Sequence, residues 1–447
     1  MKGLFDILLA ISNWIWGIPM LVLLVGGGVI ITVYLGFFQF RHLGYILKQT
    51  FGRMFQKSEG DGSVSAFQAA TAALASSIGA ANIVGVPVAV ATGGPGAIFW
   101  MWMTALVGCA TKFAEISLAI KYREKEGENF VGGPMYYLKH SPIPAFGTLF
   151  AFFLMIELVP SIATQALSFT QTAETIGIPP IAAAAVLAIC VALVVFGGIQ
   201  KIASFTEKLV PFMALLFILG GLAVILANVT HLPAAFLSIF ENAFTPTSAI
   251  GGFAGSTVAA GIRNGMSRGA YSNEAGMGTS AIAHATATTD HPGRQAIWGT
   301  FEVFVDTIIV CTITGLAILV TNTWTQVETA QAASMPSVAF QSLLGPTIGG
   351  GIVTISILLF VLSTIIVVTY YGERQGSFLF GPKFGVFMRC VYIASIFAAI
   401  LLDLSTLYQF LDLMLACLIV PNMIGLLLML PEVKEIKDDF VKRENLE

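Results

Sequence analysis

The sequence predicts an all-α membrane protein of eleven transmembrane helices. Three observations carry that expectation: the scarcity of charge, the length of the apolar runs, and the alternation of basic residues between loops. Of 447 residues, 56% are hydrophobic and 11% charged, where an ordinary soluble domain carries about 25% charged residues. A soluble fold of this size needs a charged surface that this chain does not supply. Its charges cluster, leaving runs of the roughly 20 residues that cross a bilayer.

Spans are expected at about 14–38, 65–90, 97–122, 145–176, 180–197, 204–228, 259–290, 295–321, 346–371, 385–404 and 409–430. The first is long enough to cross and stay, and nothing before it resembles a cleaved signal. Trp14 and Trp16 at its start suit an interfacial aromatic belt. Arg41, Lys48, Arg53 and Lys57 follow span one, and Lys121, Arg123, Lys125 and Lys139 follow span three. Lys201, Arg294, Arg374, Lys383 and the lysines of the tail fall in later alternate loops. The loops between, 91–96, 177–179, 229–258, 322–345 and 405–408, contain no Lys or Arg. Eleven spans put every basic loop on one side, which the positive-inside rule makes the cytoplasm. The expected N-terminus is outside and the C-terminus inside, in the cell membrane.

Other classes are disfavoured. A net charge of −3 gives no electrostatic case for nucleic acid, and the five cysteines sit in apolar runs as small hydrophobes. No G-x-S-x-G or H-E-x-x-H occurs, and the histidines lack metal-ligand spacing. An enzyme is therefore not expected, and no obligate protein partner is evident.

Spans two and seven both look interrupted. Span two carries Ser76 to Gly85, small and polar, followed by Pro87, with the Asn82 amide near mid-membrane. Span seven carries Asn273 to Ser280, with Gly276 and Gly278 beside Glu274. Backbone freed in hydrocarbon must find partners, and a bound ion or substrate is the usual one. Gly/Ala packing faces are the plainer explanation of either stretch alone. Their spacing argues further. Each opens a set of five spans, and an odd number inverts the second set in the membrane. That is the inverted five-plus-five plan of LeuT-type transporters, with span one as an extra helix. The chain then divides into 1–64, a first repeat 65–228, an extracellular loop 229–258, a second repeat 259–430 and a cytoplasmic tail 431–447.

The chain resembles the alanine or glycine:cation symporters of bacteria and archaea over nearly its whole length. GGPGAIFWMWMTALVG (Gly93 to Gly108) is similar to the family signature, and SRGAYSNEAGMGTSAIAHA (Ser267 to Ala285) to its second hallmark. HPGRQ, FEVFVDTIIVCT, GGPMYYL and YYGER also match. Two departures are local: SSIGAAN stands for the usual Thr-x-Gly-x-Gly-Asn, and Val368 and Thr369 for Trp-Ser before YYGER. The resemblance implies transport of a small neutral amino acid, alanine or glycine, coupled to a sodium ion.

It also implies a sodium site of Ser363 and Thr364 on span nine with carbonyls of Ala75, Ile78 and Phe360. An all-oxygen shell suits a hard cation; on residue type alone, Ser and Thr in a membrane helix simply bond back to their own turn. The substrate is expected between the breaks, against Ser77, Gly79 and Asn82 of span two and Gly276, Met277 and Gly278 of span seven. Gln165 on span four is expected to face the same cavity. Membrane-embedded acids are costly and usually functional, so Glu274, Glu302 and Asp306 are candidates for ion support, with proton coupling through an acid as the rival to sodium. Arg268 and Asp412 are a candidate gating pair. Lys112 and Glu115 read as a snorkelling pair near the end of span three.

Overall fold

The computed structural model describes residues 10–446 except 13, 53, 55, 57, 250, 252, 399 and 401–403. Helix α1 is Ile18–Tyr34, and the short α2, Leu43–Thr50, follows it. Span two is the pair α3, Ala66–Ser77, and α4, Ala81–Gly93, bent by 44°. Then come α5 (Gly96–Lys121), α6 (Ala145–Glu174), α7 (Pro180–Val195) and α8 (Gly198–Ala227). The second set opens with α10 (Val258–Asn273) and α11 (Ser280–His284), after a helix α9 (Leu232–Phe244) in the connection. It continues as α12 (Pro292–Val320), α13 (Met335–Phe380), α14 (Pro382–Ala398) and α15 (Leu404–Leu428).

Among the described residues six helices are long and apolar enough to cross a membrane, and the bent pair makes a seventh. The shorter apolar α1 and α7, the 17-residue α14 and the interrupted α10–α11 occupy the other expected spans. Local chemistry explains several boundaries. Ser65 and Gln68 form a reciprocal capping box at α3. Thr257 caps α10 through Ala260 N–H. Gly345, at φ 72°, breaks α13 just before Pro346, where span nine was expected to begin.

Three differences from the sequence reading are structural. Helix α8 starts at Gly198, six residues before its expected start, so Lys201 lies inside a helix. The stretch 229–258 is no simple loop, because the 13-residue α9 lies within it. After span three the chain forms a small antiparallel hairpin, β1 (Glu124–Glu126) with β2 (Asn129–Val131).

The two sets pack through equivalent members: α5 against α12, α6 against α13, and α7 against α14. The faces turned away from these contacts carry exposed Val186, Ile189 and Leu193 on α7 and Leu215, Leu219 and Leu226 on α8. Such a face suits lipid.

The tail is helical. Helix α16, Leu430–Arg443, buries Phe440 against Phe38, Tyr45 and His291. Glu432 accepts from Lys121 and Tyr122 at the end of α5. Asp439 pairs with His291, and Glu444 with Arg294, at the start of α12.

Candidate functional site

At the first break, α3 ends at Ser77 and Ile78 leaves the helical region with ψ 86°. The freed groups turn to side chains. Gly79 N–H donates to Asn82 Oδ1 at 2.9 Å, and Ala80 N–H to Gln165 Oε1 at 3.3 Å. Thr364 Oγ1 reaches from α13 to the Ala75 carbonyl at 2.9 Å, and also donates to Phe360 O at 2.9 Å. Ser363 Oγ donates to Phe360 O at 2.9 Å. Oxygens of Ala75, Phe360, Ser363 and Thr364 are thus gathered in one buried place, one turn from Ile78. A Cβ at Gly79 would stand 2.9 Å from Thr364 Oγ1 and 3.2 Å from Gln165 Nε2. Glycine is what lets the break approach both.

The other polar groups of span two divide unexpectedly. Ser77 Oγ turns back to Ala73 and Leu74 carbonyls of its own helix. Its neighbour Ser76 is the hydroxyl that crosses, 3.2 Å from both Glu274 Oε2 and the Tyr371 hydroxyl. Asn82 is fully buried and donates to Asp306 Oδ1 at 2.6 Å and Ser272 Oγ at 3.0 Å. Asp306 also accepts from Ser272 and Thr307. Asn82 therefore braces span two against spans seven and eight.

At the second break Glu274, Gly276 and Gly278 all have positive φ (57°, 89° and 75°). Its peptide groups are heavily used. Asn273 Oδ1 accepts from Ala275 N–H at 3.0 Å. Gly276 N–H donates to Glu115 Oε1 at 3.0 Å, and its carbonyl accepts from Asn422 Nδ2 at 2.9 Å. Met277 N–H donates to Glu274 O at 3.0 Å, and Met277 itself is buried. A Cβ on Gly276 would meet Leu24 and Met423; one on Gly278 would meet Pro134 and Asn422. The two glycines pack on α1, α15 and the turn before α6, and these contacts do not include Gly79 or Gln165. What joins the breaks directly is Ser76–Glu274, with Thr279 donating to the same Glu274 oxygen at 2.6 Å.

The acids are buried and mostly partnered. Lys112 and Glu115 are not a snorkelling pair, since both are fully buried. Helix α5 continues nine residues past Lys112 to Lys121, roughly 13 Å at 1.5 Å per residue, too deep to reach water. Lys112 Nζ instead pairs with Glu302 Oε1 at 3.0 Å and hydrogen-bonds Ser280. Glu302 Oε2 lies 3.2 Å from His284 Nε2, and Gln295 donates to His284 Nδ1 at 2.9 Å. That pattern makes the imidazole neutral, donating at Nε2. Nothing in the sequence tied Lys112 to Glu302, 190 residues away; only its depth in an apolar helix signalled that it needed a partner.

Arg268 and Asp412 line one cavity of about 420 Å³, with Trp16, Arg263, Ser267 and Tyr271. They do not form a salt bridge among the described residues, and Arg268 Nε has no hydrogen-bond partner. No group of three or more His, Cys, Asp or Glu residues could hold a metal ion among the described residues.

Two interrupted helices opening two matched helix sets define a membrane transporter of the LeuT-type architecture. A crystal structure of MhsT in complex with L-phenylalanine superposes on it with a TM-score of 0.54 at 16% identity, covering 85% of this chain and 90% of that one. The sodium:alanine symporter family model matches residues 1–447, and the chain belongs to that family. It is 45% identical to the uncharacterized transporter YflA of Bacillus subtilis, over 97% of this chain and 93% of that one. It is 39% identical to the sodium/alanine symporter AgcS of Methanococcus maripaludis, over 94% and 93%.

Proposed function

We propose that this protein carries alanine, glycine or a similar small neutral amino acid into the cell together with sodium, by alternating access. The family is one of sodium-coupled amino-acid symporters; the choice of small neutral substrates and the site are our reading. Sodium is held by the carbonyls of Ala75, Ile78 and Phe360 and the hydroxyls of Ser363 and Thr364. The single observation that carries this is Thr364 reaching from α13 to the Ala75 carbonyl at the first break. A hydroxyl bonding only its own turn would not do that. Sodium entering there exchanges one hydroxyl–carbonyl bond for oxygen ligation.

The substrate lies beside it, against Gly79 and Gln165, with Met277 closing the pocket. Gly79 suits this place because a side chain there would run into both Thr364 and Gln165, so ion and substrate share a wall and bind together. Ser77, Asn82, Gly276 and Gly278 shape the breaks. Arg268 and Asp412 form the outer gate, closing their shared cavity. The basic loops and the tail face the cytoplasm, and residues 65–228 and 259–430 act as inverted repeats.

Uptake of labelled alanine into proteoliposomes tests this, with a sodium gradient, a proton gradient or neither imposed. Accumulation driven by sodium alone is expected. Accumulation driven by protons without sodium would replace the coupling ion; no accumulation under any gradient would remove the substrate.

A further inference from the structure

Charge does not balance inside the helix bundle. Glu115, Glu157, Glu274, Glu302 and Asp306 are all buried among the spans, and Lys112 is the one buried lysine or arginine among the described residues. Lys112 pairs with Glu302, and His284 is satisfied as a neutral ring. Four acids are left without a salt bridge among the described residues, with Lys112 near Glu115 and Glu274 but committed to Glu302. Asp306 accepts three hydrogen bonds, which stabilise a carboxylate. Glu274 accepts two hydroxyls.

Glu115 differs. Its Oε1 accepts from Gly276 N–H at 3.0 Å and Asn422 Nδ2 at 2.8 Å. Its Oε2 is buried with no partner, the only carboxylate oxygen in that condition among the described residues. A naked carboxylate oxygen in such a place costs several kcal/mol; a neutral carboxyl costs far less. Sodium there would need a shell of oxygens, and no hydroxyl, amide or N–H group turns to Oε2 to help build one. A proton needs only the one.

We propose that Glu115 is a proton-binding site built against the break of span seven, so that its occupancy is coupled to the position of Gly276. The coupling is mechanical. Asn422 holds Glu115 and the Gly276 carbonyl with one amide, and Tyr137 donates to Asn422 Oδ1. Losing the proton leaves a charge this packing does not solvate, so the break must shift until Oε2 finds water or a cation. The titratable groups around it are Lys112 on its own helix, Glu302 on α12, Glu274 at the break and Tyr137 in the turn before α6. From α15 it meets Asn422, which is neutral.

The consequence for transport rests on the function proposed above; the site itself does not. Sodium-dependent alanine binding to the full-length protein is measured as pH is stepped from mildly acidic to alkaline. Wild-type affinity is expected to fall by up to about tenfold per pH unit above the midpoint. Glu115→Gln, a permanently neutral isostere, is expected to show a flat profile. A flat wild-type profile, or an unchanged slope in Glu115→Gln, would overturn the proposal. Should the Gln variant not fold, Glu115→Asp serves: a shifted midpoint supports the site and an unmoved one refutes it. If wild type binds no alanine at any pH, the transport reading fails separately. The proton site is then read by infrared spectroscopy, where a protonated-carboxyl band in wild type must be missing from Glu115→Gln; identical spectra would refute it.

Discussion

The two breaks interrupt equivalent helices yet are completed in opposite ways. The first is held by neutral groups of one bond each: Thr364 on Ala75, Gln165 on Ala80, Asn82 on Gly79. The second is clamped by an acid and an amide that take both peptide groups of Gly276, while Glu274 ties it back to Thr279. A hydroxyl or amide can trade its partner for an ion or an ammonium at little cost. A buried peptide unit with both its N–H and its C=O already taken cannot give up either partner without leaving a polar group unsatisfied. On the function proposed above, the first break is the exchangeable one, and the second is the frame it works against for as long as Glu115 keeps its proton.

Substitutions that strip the second break should cost stability. Lys112→Met leaves Glu302 buried without its cation and should lower stability by about 3–5 kcal/mol, read as a large drop in thermal melting in detergent. Asn422→Ala leaves Glu115 and the Gly276 carbonyl underserved and should cost about 2 kcal/mol. If both melt like wild type, the second break is no frame. Substitutions at the first break should spare the fold and change binding. Thr364→Ala should lose only about 1 kcal/mol of stability but raise the sodium concentration for half-maximal alanine binding about tenfold or more, a difference of about 1.4 kcal/mol. An unchanged sodium dependence would dissolve the contrast. At the second break, Met277→Ala should extend binding to larger side chains; identical selectivity would turn Met277 away from the pocket.

The smallest effect lies outside both breaks. Burial opposes ionisation of Glu432, but Lys121 and Tyr122 outweigh it and hold its carboxyl below the usual carboxylate range. A depressed folded-state value means stability present above the usual range and lost as pH falls through it. Being partly exposed, the contact is worth a few tenths of a kcal/mol. Glu432→Gln should therefore melt slightly earlier than wild type at neutral pH and match it in acid.

Much of the architecture was legible because lipid leaves few choices. Gly and Pro in spans two and seven, and alternating Lys and Arg, located the breaks and the spans. Ser363 and Thr364 stood out as paired hydroxyls in an apolar run. Direction was not legible. A helix surrounded by protein is apolar on every side, so no periodicity told Ser76 from Ser77, which point about 100° apart. Partnerships across the repeats were hidden for the same reason. Lys112 with Glu302, and Glu115 with Asn422, meet only once α5, α12 and α15 are packed, and sequence distance carries no trace of it.

Helix α16 has a mechanical corollary. By seating Phe440 between Phe38, Tyr45 and His291 while gripping Tyr122 and Arg294, it splices the ends of three separate spans into one block. Rocking of the bundle cannot shear those ends past one another while the splice holds. Bending is left to the joints it does not touch, such as the Gly345–Pro346 elbow of α13 and the 44° corner in span two.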